Sequence, residues 1–411
     1  MKILQIHNFH FVKGGAEKIY LETGRLFEEK GHKVIYFSTK NDKNEPYEFE
    51  EYFVDNVNFF NLSSFKKFLN VWDFFYSKSA RVKLEELIVK ERPEIAHLHI
   101  FSGRLTSAIL PVLKKHNIPV VMSVHEYRML CPVYTCLDSQ GRICEKCAGR
   151  NYYYCILKRC NRNNVVYSSV SAIECYFRDF FIPWGKYIEK FIMVSKFILK
   201  KHLQYKPHLK NKVVQIYNFI DLKKYKPEHS HNGYYLYFGR LSREKGLLTL
   251  LNAWKEFPEI KLKIVGTGVI ESKLREFVKK NHLENVEFLG VKKGNELIDI
   301  IKNAKFVLLP SEWYENNPLS IIESLSLGKP VIGADIGGIP ELIKDGFNGF
   351  LFKSGDVDSL RDAIKKAEAI NFKEYTVFSK NARGLCEKNF SKEKFYKKLK
   401  ALYLTLLGKT I

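Results

Sequence analysis

Short apolar runs alternate with longer helical patterns along almost the whole chain. Runs rich in β-branched and aromatic residues are typical of buried strands, and the segments between them repeat apolar residues at helical spacing. Strands that alternate with helices predict parallel βαβ units. The first series of predicted strands comprises Lys2–His7, Lys33–Ser38, Ile95–His99, Val120–Val124 and Phe191–Val194. The second comprises Val213–Tyr217, Tyr234–Phe238, Lys261–Val265, Val286–Leu289, Phe306–Leu309 and Val331–Gly333. We therefore expect an α/β protein with two doubly wound, Rossmann-like domains that face a cleft.

A basic segment with one proline, KFILKKHLQYKPHLKNK at 196–212, separates the two strand series and predicts a crossing between domains. A length of 411 residues is consistent with two or three domains. We expect a first domain at 1–205, with a cysteine-rich insertion at 131–160, and a second at 206–385. The remaining residues, 386–411, predict a C-terminal helix that crosses back to the first domain.

The stretch LPSEWYENNPLSIIESLSLGKPVIGADIGGIPELI, at 309–343, predicts a helix that begins beside a ligand. Asn317 is a good N-cap, and Pro318 suits the first helical position. Glu315 lies just before this helix and Glu323 lies inside it. A helix start attracts phosphate, and a carboxylate beside it can accept hydrogen bonds from neutral hydroxyls. The pair fits a diphosphate between two polyols, although a loop charge and a solvated helix residue explain the spacing alone more simply.

Three further segments favour the ligand hypothesis. YYLYFGRLSREKG predicts a strand followed by Arg240 and Lys245, two cations at the end of the sheet where open α/β folds bind ligands. KIVGTGV and ADIGGIPE supply glycines that permit close approach of the backbone. Arginine and lysine can neutralise a departing diphosphate without a metal ion. Each segment is weak evidence, but four such features in this order are strong evidence.

These segments resemble the retaining glycosyltransferases of the GT-B fold, family 4, whose signature is Glu, seven residues, Glu, preceded by GRL…KG and followed by G.P.I. The resemblance implies that Glu315 contacts the sugar and counts as catalytic, and that Glu323 holds the ribose. It implies further donor contacts for Asn316 at the sugar and for Arg240, Lys245 and the amides of Asn317 and Leu319 at the diphosphate. The sequence ENNPL replaces the Gly-Phe-Gly of many members, which leaves the donor sugar open.

Residues of the first predicted domain carry weaker signals. Gly14 and Gly15 follow the first strand, and the resemblance implies that Gly15, at a helix start, approaches the donor diphosphate; a plain loop is the alternative. His125 ends a predicted strand, and the resemblance places it beside the donor sugar, so we count it as catalytic. For His99, at another strand end, substrate contact and loop packing are equally good explanations. We assign no role to Glu126.

The resemblance implies transfer of a hexosyl group from a nucleotide sugar to a hydroxyl of a saccharide or lipid-linked acceptor, with retention, in surface polysaccharide or glycolipid assembly. The departing diphosphate would help to deprotonate the acceptor, and no catalytic metal is expected. A GT-B nucleotide-sugar epimerase or phosphorylase has the same architecture. A zinc-knuckle nucleic-acid-binding protein is the alternative from another class, but the nucleotide-sugar features make a nucleic-acid partner unexpected.

Six of the eight cysteines fall within residues 131–160. Cys144 and Cys147 have the C-x2-C spacing of zinc ligands, and Cys155 and Cys160 lie close enough in sequence to complete a structural site. Cys131 and Cys136 are alternative ligands. A reduced, metal-free cluster is the main rival hypothesis, and an iron–sulfur centre is a distant third.

The net charge of +22 suits anionic partners, although a lysine-rich composition explains it equally well. The sequence predicts neither a signal peptide nor a transmembrane span, so we expect a cytoplasmic protein with reduced thiols. Residues 57–88 and 165–190 are rich in aromatics and lysine. Ordinary helix cores explain each stretch alone, but with the charge they favour peripheral contact with an anionic membrane that holds a lipid-linked acceptor.

Overall fold

The structure is a computed structural model that describes residues 1–56 and 71–409. The chain divides into two compact units. The first comprises Met1–Ile216 with Tyr396–Ile411, and the second comprises Tyr217–Phe395. The domain limits expected from the sequence, 1–205, 206–385 and 386–411, remain a prediction.

The first unit is built on a six-stranded parallel sheet in the order β2-β1-β3-β4-β5-β6. Its strands are β1 (Lys2–Ile6), β2 (Lys33–Phe37), β3 (Ile95–Leu98), β4 (Val120–Val124), β5 (Lys190–Met193) and β6 (Val213–Gln215). Its described helices are α1 (Gly15–Glu29), α2 (Val71–Phe75), α3 (Lys78–Glu91), α4 (Ile109–Lys115), α5 (Tyr153–Leu157), α6 (Val165–Phe181), α7 (Trp184–Tyr187) and α8 (Lys196–Tyr205). The central strands β1, β3 and β4 are almost wholly buried, as a sheet covered on both faces requires.

Two expectations about the chain between the sheets are corrected. The strand predicted to open the second series, Val213–Tyr217, is β6 and pairs with β5 at the edge of the first sheet. The basic segment before it is not a crossing: it forms α8 and the 3₁₀ turn Pro207–Lys212 within the first unit. Ser195 caps α8 by accepting a hydrogen bond from the amide of Ile198, whose side chain is buried. The cap and the buried apolar face stabilise a helix where charge alone indicated a linker.

The second unit has its own six-stranded parallel sheet, in the order β12-β11-β10-β7-β8-β9. Its strands are β7 (Tyr235–Phe238), β8 (Leu262–Val265), β9 (Val286–Gly290), β10 (Phe306–Leu309), β11 (Val331–Ala334) and β12 (Gly349–Phe352). Its described helices are α9 (Leu247–Trp254), α10 (Glu271–Lys280), α11 (Gly294–Lys302), α12 (Leu319–Ser326), α13 (Val357–Ala369) and α14 (Phe372–Phe390). The edge strand β12 is absent from the sequence-based expectation because its apolar run, GFLF, is short and follows directly on a turn.

The last helix, α15 (Lys392–Leu406), joins the first unit from Tyr396 onward. The hydroxyl of Tyr396 lies 2.9 Å from His32 Nε2. The buried hydroxyl of Tyr403 lies 2.7 Å from Nδ1 of His97, a residue of β3. The C-terminal helix therefore completes the core of the first unit. Among the described residues, no helix is both long and apolar enough to cross a membrane.

Strand order reverses once in each sheet, between β1 and β3 in the first and between β7 and β10 in the second. In open α/β sheets, ligands bind beyond the carboxyl ends of the strands at such a switch point. In the first unit these ends lead into residues 7–8 and 99–104, and in the second into residues 239–245 and 310–315. The topology therefore selects two short sets of loops for closer study.

Candidate active site

The second unit brings two loops together at its switch point. One loop follows β7 and contains Lys245, and the other follows β10 and contains Glu315. Lys245 Nζ donates a hydrogen bond to Glu315 Oε1 at 2.6 Å, and the exposed fractions of the two side chains are 17% and 7%. The loops can approach because Gly246 has a φ of 69°, and a Cβ there would lie 1.8 Å from the carbonyl oxygen of Pro310. Two residues predicted from separate segments thus form one ion pair, with Glu315 buried and Lys245 half-buried.

Glu315 is held from several sides. Ser311 Oγ donates to Glu315 Oε1 at 2.8 Å, so this oxygen accepts from both Ser311 and Lys245. The backbone oxygen of Glu315 accepts from the amide of Gly338 at 2.7 Å. Gly337 has a φ of 63°, and a Cβ there would lie 2.4 Å from that same backbone oxygen. The glycine pair that the sequence singled out therefore packs against the backbone of Glu315.

The charge state of Glu315 follows from its surroundings. Burial alone would raise the pKa of its carboxyl group, but the attraction and hydrogen bond of Lys245 outweigh burial and hold the pKa below its ordinary value. The group is therefore an ionised hydrogen-bond acceptor at neutral pH. A carboxylate that is already neutralised by lysine is a weak nucleophile, which makes it better suited to orient hydroxyls than to attack carbon.

Arg240 lies in the loop after β7 and is 61% exposed. Its Nη2 donates to Glu244 Oε1 at 2.8 Å, and its Nε donates to Ser242 Oγ at 3.2 Å. An exposed pair of this kind contributes little free energy, so the guanidinium can exchange Glu244 for an anionic ligand at small cost. The expected diphosphate contacts, Arg240 and Lys245, thus lie in one loop, the first on the surface and the second half-buried.

The helix that carries Glu323 begins differently from the expectation. Its first residue is Leu319, Pro318 is the extended residue before it, and no side chain caps it. Asn317 is not the N-cap, because its Oδ1 accepts a hydrogen bond from the amide of Asn218 at 2.9 Å. Asn218 Nδ2 also donates to the backbone oxygen of Asn317, at 3.1 Å. Asn317 thus joins two distant segments of the second unit.

The other expected contacts of this helix start lie close by in the chain. Asn316 is half-buried in the loop between Glu315 and the helix, and Glu323 is half-buried on α12. The first amides of a helix have no partner within it, and Leu319 supplies the first of them here. The roles of Asn316, Leu319 and Glu323 in ligand binding stay predictions.

At the switch point of the first unit, the prominent side chains are stacked histidines rather than an ion pair. His99 Nδ1 lies 2.9 Å from His125 Nε2, and their rings are parallel to within 10°. The ring of His97 stacks on that of His99 with centroids 4.3 Å apart. Burial lowers the pKa of His125 to about 4 and that of His97 to about 3, and it also holds the pKa of His99 well below its ordinary value. The stack is therefore neutral at physiological pH.

His125 can donate or accept one hydrogen bond as a neutral imidazole, but it does not carry a positive charge near pH 7. The role expected for it beside a sugar needs only a neutral group. Gly15 is exposed as the first residue of α1, and the preceding Gly14 is extended. In the same turn, Glu17 Oε1 lies 3.8 Å from His7 Nε2. The substrate roles of His125 and Gly15 stay predictions.

The cysteine-rich segment forms thiol pairs. The side chains of Cys131 and Cys136 are hydrogen-bonded to each other, as are those of Cys155 and Cys160. The bond from Cys136 lowers the pKa of the Cys131 thiol to about 7. In residues 1–56 and 71–409, no three His, Cys, Asp or Glu side chains lie close enough together to hold a metal ion. The set of ligands predicted from spacing, Cys144, Cys147, Cys155 and Cys160, therefore stays a prediction, and we derive no chemistry through a metal.

Other contacts hold this segment in place. The carboxylate of Asp138 accepts from the amides of Gln140 and Arg142 and from Lys158 Nζ, and together these partners outweigh burial and lower its pKa to about 2. The buried guanidinium of Arg178, on α6, donates to the backbone oxygen of Arg128 and to the hydroxyl of Tyr152. The fold of the segment thus rests on two buried charged groups as well as on its thiols.

Sequence reasoning missed several groups at this edge of the first sheet. Burial raises the pKa of Glu126 to about 7, although the residue was given no role. Arg104 and Arg128 follow β3 and β4, and each lies within six residues of a histidine that the sequence did single out. The signal that could have found them is position, because every polar residue shortly after a central strand falls at the ligand-binding edge.

Comparisons with known proteins agree with this architecture. Two family models match the chain: Glycosyltransferase Family 4 over residues 13–224, and Glycosyl transferases group 1 over residues 219–385. In Anabaena HepE, solved in complex with UDP-glucose, the same fold superposes with a TM-score of 0.70 at 17% identity, covering 98% of this chain and 100% of that chain. Two six-stranded parallel units with this likeness identify the GT-B fold.

Curated relatives match over shorter regions. An uncharacterized glycosyltransferase of Methanocaldococcus jannaschii is 31% identical over 205 residues, or 50% of this chain and 55% of that protein. The UDP-Gal:alpha-D-GlcNAc-diphosphoundecaprenol alpha-1,3-galactosyltransferase of Escherichia coli is 28% identical over 215 residues, or 48% of this chain and 55% of that protein. The chain thus spans about half the length of these relatives. Because the family 4 model alone covers more than half of the sequence, the chain belongs to glycosyltransferase family 4.

Proposed function

We propose that the protein transfers a sugar from a nucleotide-sugar donor to a hydroxyl group of an acceptor, with retention at the anomeric carbon. The observation that carries this proposal is the Lys245–Glu315 pair at the switch point of the second sheet. The pair supports the proposal because a lysine suited to bind a diphosphate and a carboxylate suited to accept hydrogen bonds from sugar hydroxyls lie side by side. Glu323, which follows Glu315 after seven intervening residues, is the residue that we expect to hold the ribose.

The proposed reaction breaks the bond between the anomeric carbon and the diphosphate oxygen and forms a bond to the acceptor oxygen. The acceptor proton passes to the departing diphosphate, so charge and atoms balance without a protein nucleophile. Lys245 has three N–H donors and uses one on Glu315, which leaves two for the diphosphate. Arg240 adds a second cation from the surface of the same loop. The protein supplies position and stabilisation of leaving-group charge.

Donor turnover tests this proposal. Purified protein is incubated with UDP-, GDP- and ADP-sugars and acceptor extracts, and nucleotide release and the product anomer are measured. We expect release from one donor class only when acceptor is present, and a retained anomer. The Glu323→Ala variant should bind the nucleotide about tenfold more weakly, because it loses hydrogen bonds from a buried ligand. Glu276→Ala, at an exposed residue of α10, is the matched control.

Inactivity with every donor would overturn the transferase assignment. Nucleotide release without acceptor and with an epimerised sugar would favour the epimerase instead. Full activity of Glu323→Ala would refute the ribose contact while leaving the reaction class intact.

We also propose that the first unit docks on an anionic membrane. Helix α6 exposes an apolar face on which Val166, Ile173, Tyr176 and Phe180 recur at helical spacing, with exposed fractions from 41% to 76%. Trp72, on the neighbouring α2, is 72% exposed. Exposed aromatics of this density are typical of interaction surfaces. The net charge of +22 favours anionic lipid as the partner.

Vesicle sedimentation tests the membrane proposal. The protein should pellet with vesicles of anionic phospholipid and not with purely zwitterionic ones. Phe180→Ser should weaken binding severalfold, because it removes exposed apolar area that would become buried in the membrane. Phe372→Ser is the matched control, since Phe372 is 65% exposed but lies in the second unit. Equal loss in both variants would refute a specific face. Of the aromatic stretch 57–88, residues 57–70 lie outside the described part of the chain.

A lipid-linked saccharide acceptor is the corresponding proposal for the substrate. The membrane face supports it, and so does the relative whose printed name includes a diphosphoundecaprenol-linked sugar. Surface polysaccharide or glycolipid assembly at the inner face of the membrane is the process that such an acceptor serves.

From spacing alone, we propose one structural zinc ion in the cysteine-rich segment, with Cys144 and Cys147 as two of its ligands. Protein purified without chelator should contain about one equivalent of zinc, and less than about half an equivalent would overturn the proposal. Cys147→Ser should lose the metal, whereas Cys386→Ser, at a buried thiol of the second unit, should retain it.

A further inference from the structure

A cavity of about 370 Å³ lies in the first unit beside its switch point. Asn8, after β1, and the segment 102–104, after β3, form one side of it. The loop after β4 and the start of the cysteine-rich segment form another, through Arg128 and residues 132–135. Cys160–Arg162, two residues of α6, Ser171 and Glu174, and Phe74 of α2 complete the lining. The volume is within the usual range for small-molecule sites.

Positive charge dominates this lining. Three arginines, Arg104, Arg128 and Arg162, line the cavity with one carboxylate, Glu174. Among the described residues, Nη1 of Arg104 is fully shielded from solvent and has no hydrogen-bond partner. A shielded guanidinium nitrogen without an acceptor costs free energy, so the surroundings of Arg104 are incomplete as they stand, and the cavity that the residue lines is the space from which a ligand can bring an acceptor once the side chain turns toward it. The excess of positive charge in the lining favours an anionic ligand.

The second arginine is fixed in position. Arg128 donates from Nε to Ser102 Oγ at 3.3 Å and from Nη1 to the backbone oxygen of Pro132. Gly103, with a φ of 84°, lies beside it, and a Cβ there would come 3.6 Å from Arg128 Nη2. The loop after β3 thus holds the guanidinium at the cavity wall. A planar guanidinium that cannot swing away is suited to two-point contact with phosphate oxygens.

We propose that this cavity binds the phosphate of a phosphate-bearing glycosyl acceptor. The inference rests on the proposed transferase function and names the class of its second substrate. Phosphate oxygens would satisfy Arg104 and Arg128, while Glu174 can accept hydrogen bonds from neutral hydroxyls of the attached sugar. A neutral saccharide would leave the guanidinium of Arg104 unmatched. The phosphate can belong to a soluble sugar phosphate or to a lipid-linked diphosphate, which share this chemistry.

Calorimetric titration with inorganic pyrophosphate, in the presence of saturating UDP, tests the cavity directly. UDP occupies the proposed donor site, so a remaining pyrophosphate site should be the cavity. We expect Arg104→Gln to weaken pyrophosphate binding about tenfold or more, because it removes a charge-assisted hydrogen bond. Arg81→Gln, at an exposed residue of α3, is the matched control and should bind as the wild type does. UDP affinity should be unchanged in both variants.

Equal pyrophosphate affinity in wild type and Arg104→Gln would overturn the proposal while leaving donor binding intact. Absence of UDP binding would instead overturn the transferase function, and the acceptor assignment with it. If Arg104→Gln does not fold, Arg162→Gln supplies the same test, because the side chain of Arg162 is exposed at the cavity. Turnover kinetics then distinguish the two sources of the phosphate. If Arg104→Gln raises the acceptor KM for a sugar phosphate, or for a diphosphate-linked lipid, the proposal is supported and that acceptor is the source. A free sugar accepted equally well by both proteins overturns it.

Discussion

The two switch points differ in electrostatics: one carries an ion pair and the other carries neutral histidines. In the second unit, Lys245 and Glu315 form a matched pair 2.6 Å apart. In the first, His97, His99 and His125 stack as neutral rings because burial has lowered the pKa of each. A buried ion pair is sensitive to loss of either partner, whereas a neutral histidine stack is sensitive to protons. The comparison teaches that one fold, used twice, can place a fixed ion pair beside one switch point and a stack of neutral histidines beside the other.

The largest expected effect concerns the ion pair. Glu315→Gln should lower transfer activity by about 100-fold or more, because the amide is a weaker acceptor and leaves Lys245 uncompensated in a buried site. The measurement is kcat and KM with the active donor. Glu312→Gln is the matched control in the same loop, where Glu312 accepts a hydrogen bond from Thr249 Oγ1. A similar loss in both variants would show that the loop is merely fragile, which contradicts a specific role for Glu315.

The candidate site of the second unit was largely predictable, because its residues come from two short segments with glycines at fixed places. The error at Asn317 has a physical cause: its side chain is used by Asn218, 99 residues away, which no local capping rule can detect. The missed strand β12 and the misplaced β6 are both edge strands of four or three residues. Short edge strands bury little and carry a weak pattern.

The site of the first unit was less predictable, because it depends on register. His99 meets His125 only because β3 and β4 are neighbours, and His97 meets Tyr403 only because the last helix packs on the first unit. The charge of the cavity depends on Arg104, Arg128 and Arg162, which are far apart in sequence. Local patterns indicate strands, but the convergence of distant side chains is a property of the assembled sheet.

The second-largest expected effect is a loss of stability at acid pH that comes from the buried histidines of the first unit. A histidine with a lowered pKa stays neutral in the folded state, while the unfolded chain takes up a proton below about pH 6.5. Stability is therefore full above that pH and is lost as the pH falls toward about 4, the pKa of folded His125. Each such histidine contributes up to about 1.4 kcal/mol per pH unit across this window. We expect Tm to fall steeply between about pH 7 and pH 5.

Substitution separates this effect from general acid unfolding. His97→Gln keeps a donor and an acceptor for Ser123 and Tyr403 but cannot titrate. Its Tm should therefore fall less over the same pH range than that of the wild type. His208→Gln, at an exposed histidine, should follow the wild type. Parallel curves for all three proteins would contradict the assignment of acid sensitivity to the stack.

The smallest expected effect is a pH-dependent change in stability at Glu126, the residue that follows His125. Burial raises the pKa of Glu126 to about 7, and Glu17 and Glu174 oppose its ionisation while Arg128 favours it. The folded-state value exceeds the unfolded one, so this group costs stability as the pH rises through about 7. Glu126→Gln should raise Tm by a few degrees at about pH 8 and leave it nearly unchanged at about pH 5, where the carboxyl group is already protonated. Glu86→Gln, at an exposed residue of α3, is the control. An equal shift at both pH values would mean that the amide improves packing rather than removing a buried charge.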